Sequence, residues 1–228
     1  MRLLPALTLA LGGFLLGSES HAQQEKYTIQ SIEAKPPAQI KEPISQLLEG
    51  NAVQVLDGKG EVYCEVWFRK SVPAKATEAQ VMNGLTYQEV PQTTVLGAIR
   101  FAQKGKDYRN QDVPLGVYTL RLAYQPQDGD HMGTAPHPEF CLVVSAERDE
   151  KPALMEPKSA QDASAKSLSG NHPGVFLLFP NTKPNPKPEL SDAGMGHWVL
   201  KRALEVEVNG KKTTIGIGLT VVGHSPSA

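Results

Sequence analysis

Two long runs, Trp198 to Val208 and Lys212 to Val222, flank the dipeptide Asn209-Gly210 near the end of the chain. Asn-Gly between alternating runs is a strong signal for a two-residue hairpin, because a type I′ turn needs positive φ at both central residues. Such a strand pair is apolar on one face only and must bury that face against another layer. The rest of the chain repeats the pattern. Lys26 to Ser31, Ala52 to Leu56, Leu85 to Val90, Thr94 to Ala102, Phe140 to Ala146 and Val175 to Phe179 all read as strands. Glu61 to Lys70 follows Ala52 to Leu56 across Asp57-Gly58-Lys59-Gly60, a second hairpin signal. Val117 to Tyr124 follows the turn Pro114-Leu115-Gly116, and its Tyr118, Leu120, Leu122 and Tyr124 share one face that should point inward. About nine strands separated by turns, with no β-α-β alternation, predict an all-β fold. The natural form is an antiparallel β-sandwich, immunoglobulin-like or related.

Three stretches depart from this pattern. Lys35 to Pro43 carries three prolines and reads as an extended linker. Residues 147–169 are charged, Ala- and Ser-rich and poor in β-branched residues, which suits a long loop or short helix. The segment Lys183-Pro-Asn-Pro-Lys-Pro188 should be extended and solvated.

Composition narrows the function. Lys plus Arg is 23 and Asp plus Glu is 24, so no basic excess draws the chain to nucleic acid or an anionic membrane. Gly 20 and Pro 18 together exceed the usual share, in keeping with many turns. Residues 1–22 read as a signal peptide: Arg2 opens it, Leu3 to Leu16 is its apolar run, and Ser20-His21-Ala22 is a small-x-small cleavage pattern before Gln23. The apolar run is too short to span a bilayer, so no membrane insertion is expected. Residues 23–228 are then an exported single β-sandwich domain, periplasmic or extracellular. In an oxidising compartment, Cys64 and Cys141 are candidates for one disulfide; the alternative is two separate buried thiols.

One loop concentrates ligand-capable side chains: Asp128, Asp130, His131, Met132, His137 and Glu139, between two predicted strands. Asp128, Asp130, Gly133 and Glu139 sit where a calcium loop places its first, third, sixth and twelfth residues, but Met132 stands where a carboxylate belongs. His131, Met132 and His137, with His172 and His197 elsewhere, offer imidazole and thioether ligands of the kind copper takes. A third reading is a loop in which Asp and Gly serve local turns. Asp107-Tyr108-Arg109 reads as a charged strand end at the surface. Trp67 and Trp198 lie on apolar strands and suit a core better than a sugar platform. No Gly-x-Ser-x-Gly, His-Glu-x-x-His or phosphate loop occurs, so no catalytic residue is assigned.

The stretches Asp107-Tyr-Arg-Asn-Gln, Pro114-Leu-Gly-Val-Tyr-Thr-Leu-Arg121 and Gln125-Pro-Gln-Asp-Gly-Asp-His-Met-Gly-Thr-Ala-Pro136 resemble a family of uncharacterised exported bacterial proteins. The resemblance covers about Thr94 to Ser145 and implies no activity. The sequence therefore predicts a non-enzymatic binding or structural protein. Its working surface would be the loop Asp128 to Glu139, with Gly194 to Trp198 beside it, and its partner a protein or a small ligand. The alternative is a periplasmic protein binding copper, or another metal, through His and Met.

Overall fold

The structure, a computed structural model, describes residues 26–126, 135–168 and 172–225. In chain order the strands are β1 (Thr28–Glu33), β2 (Asn51–Leu56), β3 (Val62–Phe68), β4 (Ser71–Pro73), β5 (Val95–Phe101), β6 (Gly105–Lys106) and β7 (Asp112–Val113). They continue with β8 (Gly116–Tyr124), β9 (Glu139–Ser145), β10 (Val175–Leu177), β11 (Glu189–Asp192), β12 (Trp198–Val208) and β13 (Lys211–Val222). Three short helices, α1 (Glu42–Ser45), α2 (Glu78–Asn83) and α3 (Pro157–Ser167), interrupt them. None of the helices among the described residues is long and apolar enough to cross a membrane.

Seven strands form one antiparallel sheet in the order β1-β2-β3-β5-β8-β9-β10. A second sheet runs β11-β12-β13, and β4 adds to β12 in parallel. Strands β6 and β7 pair as a short ribbon. The main core lies between the two sheets. It joins Cys64, Val66, Phe68, Leu120 and Leu122 of the larger sheet to Leu204, Val206, Ile217, Leu219 and Val221 of the smaller. This is the sandwich the alternation predicts, and the face carrying Tyr118, Leu120 and Leu122 points inward as expected.

Both predicted hairpins are present. Asn209 and Gly210 have φ of 50° and 75°, the two positive values of a type I′ turn. At the other hairpin the Asp57 carboxylate accepts from the Lys59 and Glu61 amides at 2.9 and 3.0 Å. The middle of β13 carries a device that the hairpin pattern does not announce. Gly216 and Gly218 alternate with core-facing Ile215, Ile217 and Leu219, and the segment 178–181 closes against the side they leave bare. A Cβ at Gly216 would lie 1.9 Å from the Asn181 carbonyl oxygen. Asn181 Nδ2 in turn donates to the carbonyls of Arg202 and Ile217 at 3.3 and 3.2 Å.

The outer face of the large sheet is also covered, which period-two reasoning could not foresee. Ile40, Ile44 and Leu48, around α1, pack on Ala52, Trp67, Val95 and Ala98. The Lys35–Pro43 stretch thus does more than link, and the Trp67 indole donates to the Ala34 carbonyl at 2.8 Å. Helix α3 lies on β9 with Ala160 and Ser164 inward, and Ser164 Oγ donates to the Val143 carbonyl at 2.7 Å. Small residues on that face let the helix approach closely. Trp198 is half-buried against Tyr27, with ring centroids 5.7 Å apart.

Three local expectations need correction. Leu85 to Val90 is not a strand: Leu85 makes an isolated bridge and Tyr87–Glu89 is a turn of 3₁₀ helix. Thr86 and Glu89 form a capping box there, which satisfies the first amides of a helical turn and so competes with the ladder. The 183–188 segment is exposed but bent rather than straight, with the Asn185 carboxamide accepting from the Lys187 amide at 3.0 Å. Asp107 is not a surface residue. It is fully buried, and its carboxylate accepts from the amides of Gln111 and Val175 at 2.8 and 3.1 Å.

Candidate functional site

The segment joining β8 to β9 includes residues 127–134, so Asp128, Asp130, His131 and Met132 lie outside the described residues. Its two ends are described. The Gln125 amide donates to the Pro138 carbonyl at 2.7 Å, closing the base of the connection, and Tyr124 stands opposite Glu139 in the ladder. The His137 ring meets the Phe179 ring edge-on at 4.8 Å. Glu139 Oε1 accepts from Gln88 Nε2 at 2.7 Å, which brings the 3₁₀ turn at Tyr87–Glu89 to this rim.

A shallow hollow of about 290 Å³ opens beside these ends, lined by Lys75, Gln88, Glu89, Pro91, Gln92 and Tyr124 among others. Its walls are well held. Tyr124 Oη lies 2.5 Å from the Tyr87 carbonyl and 3.2 Å from that of Val90, fixing the turn to the end of β8. Both Glu89 carboxylate oxygens are engaged: Oε2 accepts from the Thr86 amide at 2.7 Å and Oε1 from Gln80 Nε2 at 3.0 Å. Tyr87 Oη donates to the Phe179 carbonyl and accepts from the Gly218 amide, each at 2.9 Å. The side chains of Lys75 and Gln92 make no such bond among the described residues. The hollow therefore offers a cation and a carboxamide on a rigid frame.

The electrostatics do not favour proton transfer here. Burial, helped by the Glu139 and Glu89 carboxylates, pushes the Tyr124 phenol up to about 12. It stays neutral at ordinary pH and is neither base nor nucleophile. Tyr87 is pushed up further by its burial. Glu89, with both oxygens occupied, serves as a cap.

Of the imidazoles singled out from sequence, His131 lies outside the described residues, and His137, His172 and His197 do not form a metal-holding set. His137 packs on Phe179, and His172 is exposed just before β10. His197 is only 4% exposed and stacks 5.9 Å from the Tyr108 ring. Its Nδ1 lies 3.2 Å from the Gly194 carbonyl, which can only accept, so Nδ1 carries the proton and buried Nε2 is left without a partner. Among the described residues no group of three or more His, Cys, Asp or Glu side chains could hold a metal ion.

Of the two readings of the cysteines, the structure has the two separate buried thiols. Cys64 and Cys141 are both free and fully buried. They sit on β3 and β9, separated by β5 and β8, so the strand spacing alone holds them about 14 Å apart. The registers also offset them along the strands, since Cys64 faces Phe101, Phe101 faces Gly116, and Cys141 faces Leu122. A disulfide needs its Cα atoms within about 7 Å. Burial pushes both thiols well above their ordinary range, so neither is a ready nucleophile.

Sequence reasoning missed the most polar buried cluster. Arg121, Asp149 and Thr119 are all fully buried behind β8. Arg121 Nε and Nη2 donate to the two Asp149 oxygens at 2.7 Å each. Its Nη1 reaches the carbonyls of Thr93 and Ala153 at 2.6 and 3.1 Å, and Nη2 also reaches that of Lys151 at 2.6 Å. Thr119 Oγ1 donates to Asp149 Oδ2. All five guanidinium donors have acceptors, so the cluster clamps the 149–153 segment to the sheet and leaves nothing for a ligand. One signal was available: Arg121 interrupts an otherwise apolar strand on the face opposite Tyr118 and Leu120.

Compared with known proteins, the chain matches no family model, no curated protein and no solved structure.

Proposed function

We propose that this chain is an exported binding protein without catalytic activity, and that its working surface is the rim where β8 gives way to β9. The observation that carries this reading is the hollow beside Tyr124. Its frame is fixed by Tyr124, Glu89 and the Gln88–Glu139 bond, while Lys75 and Gln92 point no bond elsewhere among the described residues. A fixed frame with spare donors suits recognition, because the groups that would meet a ligand are not spent on the fold. A small polar ligand with an acidic group matches one ammonium and one carboxamide. Export is supported by the leader pattern of residues 1–22. Fully buried free thiols are compatible with an oxidising compartment, since oxidants reach exposed thiolates first.

A set of small carboxylic and sugar acids, screened by amide chemical shifts on the chain from Gln23 onward, tests the surface. Saturable shifts centred on Lys75, Gln92 and Tyr124, lost in a Lys75→Ala/Gln92→Ala variant of unchanged stability, are the expected result. Saturable binding that maps elsewhere, or turnover of any compound in the set, overturns it. Export is checked separately by the N-terminal residue of protein recovered outside the cytoplasm, which should be Gln23.

A further inference from the structure

A sheet leaves a row of unpaired amides and carbonyls at each edge, and most edges of this sandwich are covered or cut short. At β10 the Val175 amide donates to Asp107 Oδ2 at 3.1 Å, and the Val175 carbonyl accepts from the Tyr108 amide at 2.8 Å. The outer edge of β13 is occupied by the Phe179 amide on the Gly218 carbonyl and the Gly218 amide on Tyr87 Oη. Across the smaller sheet, β4 is three residues long and ends in Pro73, while β11 is four residues long, follows Pro188 and bears Glu189 and Asp192. Short strands flanked by proline and charge are poor templates.

Strand β1 is longer than β4 and β11, and its outer edge has none of the hydrogen-bonded cover of β10 and β13 among the described residues, although it bears Glu33 and is followed by Lys35-Pro36-Pro37. It pairs with β2 on one side only, over six residues. It contains no proline and no lysine, and Thr28, Gln30, Ser31 and Glu33 are exposed. None of its backbone groups bonds outside the β2 ladder among the described residues, and Glu33 has no ionic partner there. Gln30 is held in line by its carboxamide on Gln54 at 2.7 Å, and Gln54 reaches Glu65 at 2.7 Å, so the strand is not free to curl away.

We propose that the outer edge of β1 is a docking site for an extended peptide segment of a partner protein, which adds to the seven-stranded sheet as an eighth strand. Backbone hydrogen bonds supply the binding. Ile29 and Ile32, three residues apart and on opposite faces, each favour an apolar residue beside them, one on each face of the segment, and Glu33, without an ionic partner among the described residues, favours a basic residue at one end. The occupant is a segment rather than a second folded copy because the strip is small. Six residues span about 20 Å, and a strip about 10 Å deep covers roughly 200 Å², whereas a stable pair of folded proteins buries about 800 Å² on each partner. A flexible segment needs no second folded surface to fit. This site lies four strands from the rim hollow and does not depend on it.

The probe is a blocked ten-residue peptide of Thr and Val, with two Val three residues apart so that one lies on each face and an Arg near one end, titrated against the chain from Gln23 onward. Amide shifts and slowed hydrogen exchange should be confined to residues 28–33 and their β2 partners, with a Kd between about 10 μM and 1 mM. N-methylating every second peptide bond should weaken binding at least about tenfold in one phase and leave it unchanged in the other, because only one set of amides faces β1. Glu33→Lys should weaken the Arg-bearing peptide about two- to fivefold with no change in thermal stability. Equal sensitivity to both methylation phases, shifts that map away from β1, or no saturation below about 1 mM would each overturn the proposal. Dimers that form without peptide and protect the amides of 28–33 would replace the peptide with a second copy.

Discussion

Replacing Asp149 by Ala should destabilise the protein far more than its distance from any candidate ligand suggests. Arg121 and Asp149 are 0% exposed, and the carboxylate takes two of the five guanidinium donors at 2.7 Å. Without it the guanidinium keeps three backbone carbonyls but loses its only counter-charge among the described residues, in a fully buried site. Breaking a buried pair by removing one partner costs about 3–5 kcal/mol. For a chain of this size each kcal/mol moves Tm by about 2–4 °C, so the loss should be roughly 6–20 °C. Urea unfolding of wild type, Arg121→Ala, Asp149→Ala and the double variant gives the measurement. The double variant should be less destabilised than the sum of the single ones, by about 2 kcal/mol or more, because removing both leaves no buried charge. A single-variant loss under about 1 kcal/mol, or additivity within about 0.5 kcal/mol, would refute the clamp.

Three further outcomes follow from the same geometry. Gly216→Ala should cost more than Gly210→Ala when both are measured by urea unfolding. The first meets a backbone oxygen at 1.9 Å and must push strand and segment apart, whereas the second costs only the strain of a positive φ, about 1–2 kcal/mol. Thiol reagents should label neither Cys64 nor Cys141 in the folded protein and both after unfolding, and mild oxidation should leave no intramolecular bridge; mass spectrometry reads both results. Burial, only partly offset by the Val175 and Gln111 hydrogen bonds, holds the Asp107 carboxyl above its ordinary value. The folded chain then keeps a proton the unfolded chain has released, so this group's contribution falls as pH rises through the window just above the ordinary carboxylate range and is flat beyond it. Asp107→Asn should flatten the urea midpoint against pH in the window just above the ordinary carboxylate range, and an unchanged slope would contradict the assignment.

The candidate site was only half legible. Glu139 and His137 come to a rim because a loop between two antiparallel strands has nowhere else to go. The residues they meet, Gln88 and Phe179, are far off in the chain, and Lys75 and Gln92 belong to segments whose sequence carries no site pattern. Local signals were sometimes read for the wrong element. The Thr86 and Glu89 capping box lies in a run that alternates like a strand, and the short-range hydrogen bonds took precedence over the alternation.

What the sequence determined by itself is whatever depends on near neighbours. The Asn209-Gly210 and Asp57-Gly58 turns and the inward face of Tyr118, Leu120 and Leu122 follow from φ preferences and a period of two, which need no knowledge of the rest of the chain. Only the tertiary structure decided the order of strands, and with it everything that depends on distance across a sheet. It set Cys64 and Cys141 three strands apart, sealed β10 with Asp107 while leaving β1 open, and buried Arg121 against Asp149. The reason is that strand order is chosen by the packing of whole faces, a sum over many weak contacts that no single stretch of residues encodes.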